Sequence, residues 1–319
     1  MHPNLQLSPY PSDKVIGTAL EFVEGITHEQ KCYGTFEEDM PDPSFRFRVA
    51  LVQHDGDFKM HSHEYSELVI VLGGRATHAT EVEEYELETG DVFVIGSGRR
   101  HGFLGAQGLK LCNLMFDPAQ FLKGRKPLEE MMGYHALFDL QPRDVSQGRF
   151  RERLHLSMDD LSYARNIVSN LKLEYSGGEA GRELMIRSSF DLLVTFLCRV
   201  YGRKKADTVT PLTAMAKVVS YIRNHYRDPI RIEDLARVAH LSVSQLQRRF
   251  RKAYDTSPVQ YINNLRLHEA CELLKTSDYS VTHIAHDCGF GSSSFFSTQF
   301  RQSLGESPSA YRMRSKTKV

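Results

Sequence analysis

Between Phe45 and Leu51 the side chains Phe45, Phe47, Val49 and Leu51 alternate with Arg46, Arg48 and Ala50. This two-residue period predicts a strand with one buried face. Glu67–Leu72 is a short apolar run rich in branched residues, consistent with a buried strand, and Gly73-Gly74, Thr89-Gly90-Asp91 and Gly96-Ser97-Gly98 punctuate the region as turns. Many short strands with glycine turns predict a small β-barrel or sandwich up to about Phe116. After Asp117-Pro118 the period changes. Leu161, Ile167, Val168 and Leu171, then Leu184, Phe190, Leu193 and Leu197, have helical spacing over 159–175 and 182–201. The Ser176-Gly177-Gly178 break between them makes an αα-hairpin, read as a cap on the barrel or as a dimerisation element.

Near the C-terminus the chain writes one stretch twice. At an offset of fifty, Ser242, Ser244, Phe250, Arg251, Ser257, Pro258 and Tyr261 coincide with Ser292, Ser294, Phe300, Arg301, Ser307, Pro308 and Tyr311. Each copy follows a short amphipathic segment, 232–239 and 281–288, and Gly289 marks the tight turn in the second. Two helices joined in this way form the helix-turn-helix unit, whose second helix lies in a DNA major groove. Two copies are too few for a solenoid core, so two readers in one all-α domain is the expectation. Between them 258–274 reads as one helix of about 25 Å, the right order to set two readers near one DNA turn, about 34 Å, apart.

Within each reading helix, Leu246 and Phe250, and Phe296, Phe300 and Leu304, lie four apart and pack inward. The opposite face presents Ser244, Gln247, Arg248 and Arg251 in the first copy, and Ser294, Ser297, Thr298 and Arg301 in the second. Arginine pairs bidentately with guanine and glutamine with adenine, whereas hydroxyls are less selective. Arg248 is thus the best single candidate for base readout, and the second helix leans on phosphates or DNA shape.

Composition changes this picture little. The 319 residues carry 40 Lys+Arg and 40 Asp+Glu. Residues 211–319, however, hold 16 basic against 9 acidic groups, which suits a polyanion partner. No apolar run approaches a membrane span, the N-terminus lacks the apolar core of a signal peptide, and a cytoplasmic location follows. The five cysteines form no CxxC pair and read as reduced thiols. No GxGxxG, Walker loop or GxSxG occurs, so nucleotide binding and acyl transfer have no support. The expected division is an arm at 1–44, a barrel at 45–145, a hairpin at 146–201, a polar linker at 202–210 and the DNA-reading domain at 211–319.

Residues 214–312 resemble the DNA-binding domain of the AraC/XylS family. The resemblance is carried by Gly289-Phe290, Ser292, Ser294, Phe296-Ser297, Phe300-Arg301, Gly305, Ser307-Pro308 and Tyr311-Arg312, and by Leu235-Ala236, Leu241-Ser242, Leu246, Arg248, Phe250 and Ser257-Pro258. It departs at Asp255, where the family usually has glycine. The resemblance implies a transcription factor bound to direct-repeat promoter sites, usually as a dimer and often as an activator. Double-stranded DNA, RNA polymerase and a second copy are then the implied partners.

His61, His63 and Glu67 stand at i, i+2 and i+6, offsets that keep all three on one face of a strand, and His101 follows a later glycine turn. The two segments resemble the paired motifs of cupin barrels, with Gly96 where proline is usual. The four positions that hold metal in metal-dependent cupins are therefore filled by His61, His63, Glu67 and His101. The preferred reading is a polar floor in an apolar barrel that binds a small effector and needs no resident metal. Glu64–Leu72, Gly90–Val94 and Leu114–Phe116 look like sensor domains of regulators of L-rhamnose and other sugar operons, which makes a sugar the expected effector. A metal-dependent cupin enzyme, or a metal or redox sensor fused to a DNA-binding domain, is the alternative. His78 and His135 read as ordinary core or surface histidines. The whole is an α+β multidomain chain: a cupin-like barrel, a helical hairpin and two helix-turn-helix units.

Overall fold

The alternation that begins at Phe45 extends further than the sequence suggests. In the computed structural model, which describes residues 23–24, 33–140, 153–205 and 210–316, it becomes a 17-residue strand, Phe47–His63. The expected arm lies mostly outside the described residues. Its described parts are β1 (Val23–Glu24) and β2 (Tyr33–Gly34), both parallel to the long strand β3 (Phe47–His63), and a one-turn helix α1 (Phe36–Asp39). The sheet continues with β4 (Ser66–Thr80), β5 (Glu84–Leu87), β6 (Asp91–Ile95) and β7 (His101–Phe116). Its order is β1-β3-β7-β4-β6, followed by a short β8 (Leu154–His155), with β5 on β4.

The three long strands cannot stay flat, because register shifts interrupt them, as between Val71 and Gly73 and again between Gly73 and Arg75. Gly74 sits at φ 72° in this bend, and a Cβ there would lie 2.1 Å from the Gly108 carbonyl oxygen, so only glycine fits. The bend folds both halves of β4 and β7 around one apolar cluster containing Val69, Val71, Ala76, Phe93, Phe103, Ala106 and Leu109. The other face of β4, with Leu68, Ile70 and Leu72, packs outward against helices.

Residues 118–140, expected in the barrel, are helical instead: α2 (Pro118–Phe121), α3 (Lys126–Glu129), α4 (Met132–Tyr134) and a π-helical turn (His135–Leu140). Two Pro-started turns are too short to show a helical period, which explains why the sequence pattern missed them. Conversely β8, expected in the hairpin segment, adds to the sheet: the buried Asp91 carboxylate holds it through Arg153 Nε at 2.7 Å and His155 Nδ1 at 2.9 Å.

The hairpin is α5 (Met158–Ser176) and α6 (Arg182–Lys205). Helix α6 runs on through Gly202-Arg203-Lys204-Lys205, residues expected in the linker. Cations in a last turn complement the helix dipole, so charge without apolar content does not end a helix. The C-terminal helices are α7 (Pro211–His225), α8 (Ile232–Ala239), α9 (Val243–Tyr254), α10 (Pro258–Thr276), α11 (Val281–Asp287), α12 (Ser293–Leu304) and α13 (Pro308–Lys316). Ser242, Ser257, Ser280 and Ser292 each accept a backbone N–H at a helix start, which is where the serines of the repeat earn their place.

One continuous apolar core runs from Phe47 and Ile70 through Leu193 and Leu197 to Val218, Leu235 and Phe250. The first helix-turn-helix unit is therefore packed onto the hairpin and the sheet. The second unit has its own smaller core around Leu274, Ile284, Phe290, Phe296 and Phe300. Charged contacts supplement the first junction. Glu129 meets Arg223 at 2.6 Å, Lys126 meets the buried Glu269 of α10 at 2.6 Å, and the Glu130 carbonyl accepts from Asn224 at 2.9 Å.

The repeat also exposes a backbone compromise. Asp255 ends α9 at φ 53°, whereas Gly305, its counterpart fifty residues on, ends α12 at φ 78°. Left-handed backbone costs a residue with a Cβ about 1–2 kcal/mol, partly offset by the unfolded-chain entropy that glycine adds. Asp255→Gly should therefore stabilise the protein by about 0.5–1 kcal/mol. The denaturant midpoint measures it, and an unchanged or lower midpoint would show the aspartate to be unstrained.

Candidate functional site

β3 and β4 deliver His63 and Glu67 to one place, and the first residue of β7 brings His101 beside them. Glu67 Oε2 lies 3.2 Å from His63 Nε2 and 3.6 Å from His101 Nε2, and all three side chains are buried. Their orientation is set from behind. His63 Nδ1 donates to the Tyr65 carbonyl at 2.8 Å and His101 Nδ1 to the Arg99 carbonyl at 3.1 Å. A carbonyl only accepts, so each Nδ1 carries hydrogen and each ring turns its Nε2 toward the carboxylate, where a protonated ring donates and a neutral one offers a lone pair.

His61 belongs to the neighbourhood but not to this converging set. Its ring centroid is 4.1 Å from that of His101, and its Nδ1 faces the Lys59 carbonyl at 3.2 Å. Residue 61 pairs in register with residue 101 across the β3–β7 ladder. The sequence offsets placed it on the same face, but the shift between Phe58 and His61 moves it off the three-residue focus. Two further histidines, which the sequence reading set aside or did not single out, border the site. His78 is buried, with its ring 5.9 Å from His101 and 5.0 Å from Phe93, and His54 packs against Phe58 and Phe103. Their signal was position: both lie on the long strands, on the side facing the enclosed cluster.

The electrostatics divide these groups. Burial alone would raise the pKa of Glu67, but hydrogen bonds and charge from His101 and His63 outweigh it and hold the carboxyl well below its usual range. Burial, reinforced by His101, pushes His61 down to about 4, and burial also lowers His78 and His54. At neutral pH the site thus holds an ionised carboxylate, with His61, His78 and His54 kept uncharged around it. Such a set accepts and donates hydrogen bonds to hydroxyls. The donor set, two imidazole lone pairs and a carboxylate with backbone carbonyls behind the rings, also fits a divalent cation.

The DNA-reading candidates form a separate, outward surface. Ser244, Gln247, Arg248 and Arg251 are exposed on α9, as are Ser294, Thr298 and Arg301 on α12, with Ser297 half-buried. Leu246, Phe250, Phe296 and Phe300 point the other way and are fully buried. The turn between α11 and α12 needs Gly289 at φ 83°, because a Cβ there would lie 2.5 Å from the Arg227 carbonyl oxygen. Two hydroxyls on the reading face are already engaged: Ser244 Oγ lies 3.2 Å from Ser242 Oγ, and Thr298 donates to the Ser294 carbonyl at 3.0 Å.

Residues 235–314 match the family of helix-turn-helix domains, and residues 48–114 match the cupin domain. The HTH-type transcriptional activator RhaS of Escherichia fergusonii is 29% identical over 264 residues, covering 81% of this chain and 88% of that protein. The chain joins an AraC-type helix-turn-helix domain to a cupin domain, as a transcription regulator does. The HTH-type transcriptional activator RhaR of Mannheimia succiniciproducens is 24% identical over 257 residues, covering 81% of the regulator and 88% of that protein. Among solved structures, the DNA-binding domain of AdpA in complex with a target DNA is 37% identical, covering 33% of the regulator and 95% of that chain at a TM-score of 0.32. Both of these curated relatives are named as transcriptional activators. No helix among the described residues is long and apolar enough to cross a membrane.

Proposed function

We infer that the regulator activates transcription when a small polyhydroxylated effector, a sugar such as rhamnose, occupies the folded sheet at His61, His63, Glu67 and His101. The observation that carries this reading is the convergence of two fixed imidazoles and an ionised carboxylate on one buried point beside aromatic rings. Carboxylate and imidazole groups serve hydroxyls, and Phe58 and Phe103 offer apolar faces to a sugar ring. A divalent ion held by His63, Glu67 and His101 would supply a Lewis-acidic contact for the same hydroxyl oxygens. The shared core and the Glu129–Arg223 and Lys126–Glu269 pairs are the route by which occupancy biases the DNA-binding domain. Ser244, Gln247, Arg248, Arg251, Ser294, Ser297, Thr298 and Arg301 are assigned to DNA. A second copy is assigned to the hairpin, where Tyr163, Leu173, Leu184, Met185 and Leu192 remain exposed. RNA polymerase is the remaining partner, and the cytoplasm the compartment.

Thermal unfolding against a panel of sugars, with and without chelator, tests the reading. A sugar at 100 times its dissociation constant should stabilise the regulator by about 2.7 kcal/mol. A shift with one sugar that survives chelation supports direct hydrogen bonding, and one lost on chelation assigns the contact to a metal. No sugar response, with destabilisation by chelator alone, would replace the sugar sensor by a metal sensor.

A further inference from the structure

The two reading helices differ at the positions that count most. Arg248 of α9 corresponds to Thr298 of α12 at the fifty-residue offset, and Gln245 corresponds to Phe295. In α9, Gln245 closes a capping box: Ser242 Oγ accepts its backbone N–H, and its side chain accepts from the Ser242 N–H at 3.2 Å. In α12, Ser292 still accepts the Phe295 N–H at 3.2 Å, but a phenyl ring returns nothing. The second unit has given up half of its cap to place a phenylalanine there. That ring is 49% exposed, while Phe296 beside it is fully buried.

Thr298 lies three residues on, over the same strip of the helix. Its hydroxyl is committed to the Ser294 carbonyl at 3.0 Å, so its methyl is the group left to meet a ligand. Phe295 and Thr298 together make an apolar edge on the outward side of α12, opposite the buried Phe296 and Phe300 and near the helix N-terminus that enters a groove first. The major groove offers one apolar group, the thymine C5-methyl.

We propose that Phe295 and Thr298 read thymine methyl groups in the second half-site, so that the two units of one chain recognise DNA by different chemistry. Hydrogen bonding from Arg248 and Gln247 serves the first half-site. Methyl contact serves the second, where the hydroxyl of Thr298 is already spent on the Ser294 carbonyl. This rests on the assignment of the outer face of α12 to DNA.

The test begins with an operator selected from random duplexes by the full-length protein. Each thymine of the second half-site is then replaced by deoxyuridine, which deletes the methyl and leaves every hydrogen-bonding group. At least one replacement should weaken binding about fourfold, the worth of one buried methyl-sized group. Phe295→Ala or Thr298→Ser should make the protein indifferent to that same replacement. Phe295→Gln restores the capping box and keeps the helix, so it should melt no lower than the parent yet lose the methyl dependence. Arg301→Ala is the separate check on the face itself. If it weakens binding while deoxyuridine has no effect, methyl reading is overturned and the face survives. If neither change matters, both are overturned, and an equal deoxyuridine loss in parent and variants assigns the methyl contact to another residue.

Discussion

Phe300→Ala is expected to unfold the second helix-turn-helix unit and leave the rest of the regulator folded. Phe300 is fully buried in a cluster of only ten buried residues that is not continuous with the main core. Deleting a buried phenyl ring costs about 3–5 kcal/mol, comparable to what so small a core contributes on its own. The first unit would not share the loss, because Leu246 and Phe250 belong to the core that also holds Leu193 and Ile70. Amide hydrogen exchange reads the result directly. Protection should vanish across 281–311 and persist in α7 and α9, and DNA affinity should fall to that of one reader. Uniform loss of protection through the whole chain would mean that the two cores unfold as one.

Arg248→Ala should weaken binding to the specific operator by about 1–3 kcal/mol, roughly fivefold to 150-fold. Arg248 is exposed on α9, one position from Gln247, so its guanidinium can reach a base. Removing it takes nothing from the protein core, so the melting temperature should stay within the narrow range of surface substitutions. Affinity for random duplex DNA should change far less than affinity for the operator. Equal losses on both would make Arg248 a phosphate contact, and the slope of affinity against salt would then fall by about one.

Much of this was legible in the sequence, for reasons that differ from element to element. The amphipathic helices 232–239 and 258–274 were read nearly to the residue, because Asp234 returning to the Arg231 N–H marks the start of the first and Ser257 with Pro258 that of the second. The buried and outward faces of α9 and α12 were legible because the fifty-residue echo gives two independent views of one packing pattern. The helical turns at 118–140 were not. Each is three to six residues long and takes its stability from α6 and α7, so nothing local announces it. That His61 stands beside the three-residue focus rather than in it was not legible, for a related cause. Strand periodicity assumes an unbroken ladder, and the shifts after His54, Gly56 and Phe58 are set by pairing with β7 rather than by β3 itself. The commitment of the Thr298 hydroxyl was likewise invisible, since composition records a donor without recording whether it is spent.

The discontinuity between the two cores has a consequence for how the regulator answers its surroundings. The first reader is held by apolar burial, whose strength follows temperature. The second is held to the rest of the chain through α10, whose Ile262 and Leu265 reach the main core and which is further braced by ions and dipoles: Lys126 on Glu269, and Arg266 on the carbonyls of Tyr226 and Asp228. Partly exposed charge contacts of this kind weaken as ionic strength rises. Cold would loosen both readers, whereas salt would weaken only the polar braces along α10, so osmotic stress would change the spacing of the two readers before it unfolds either.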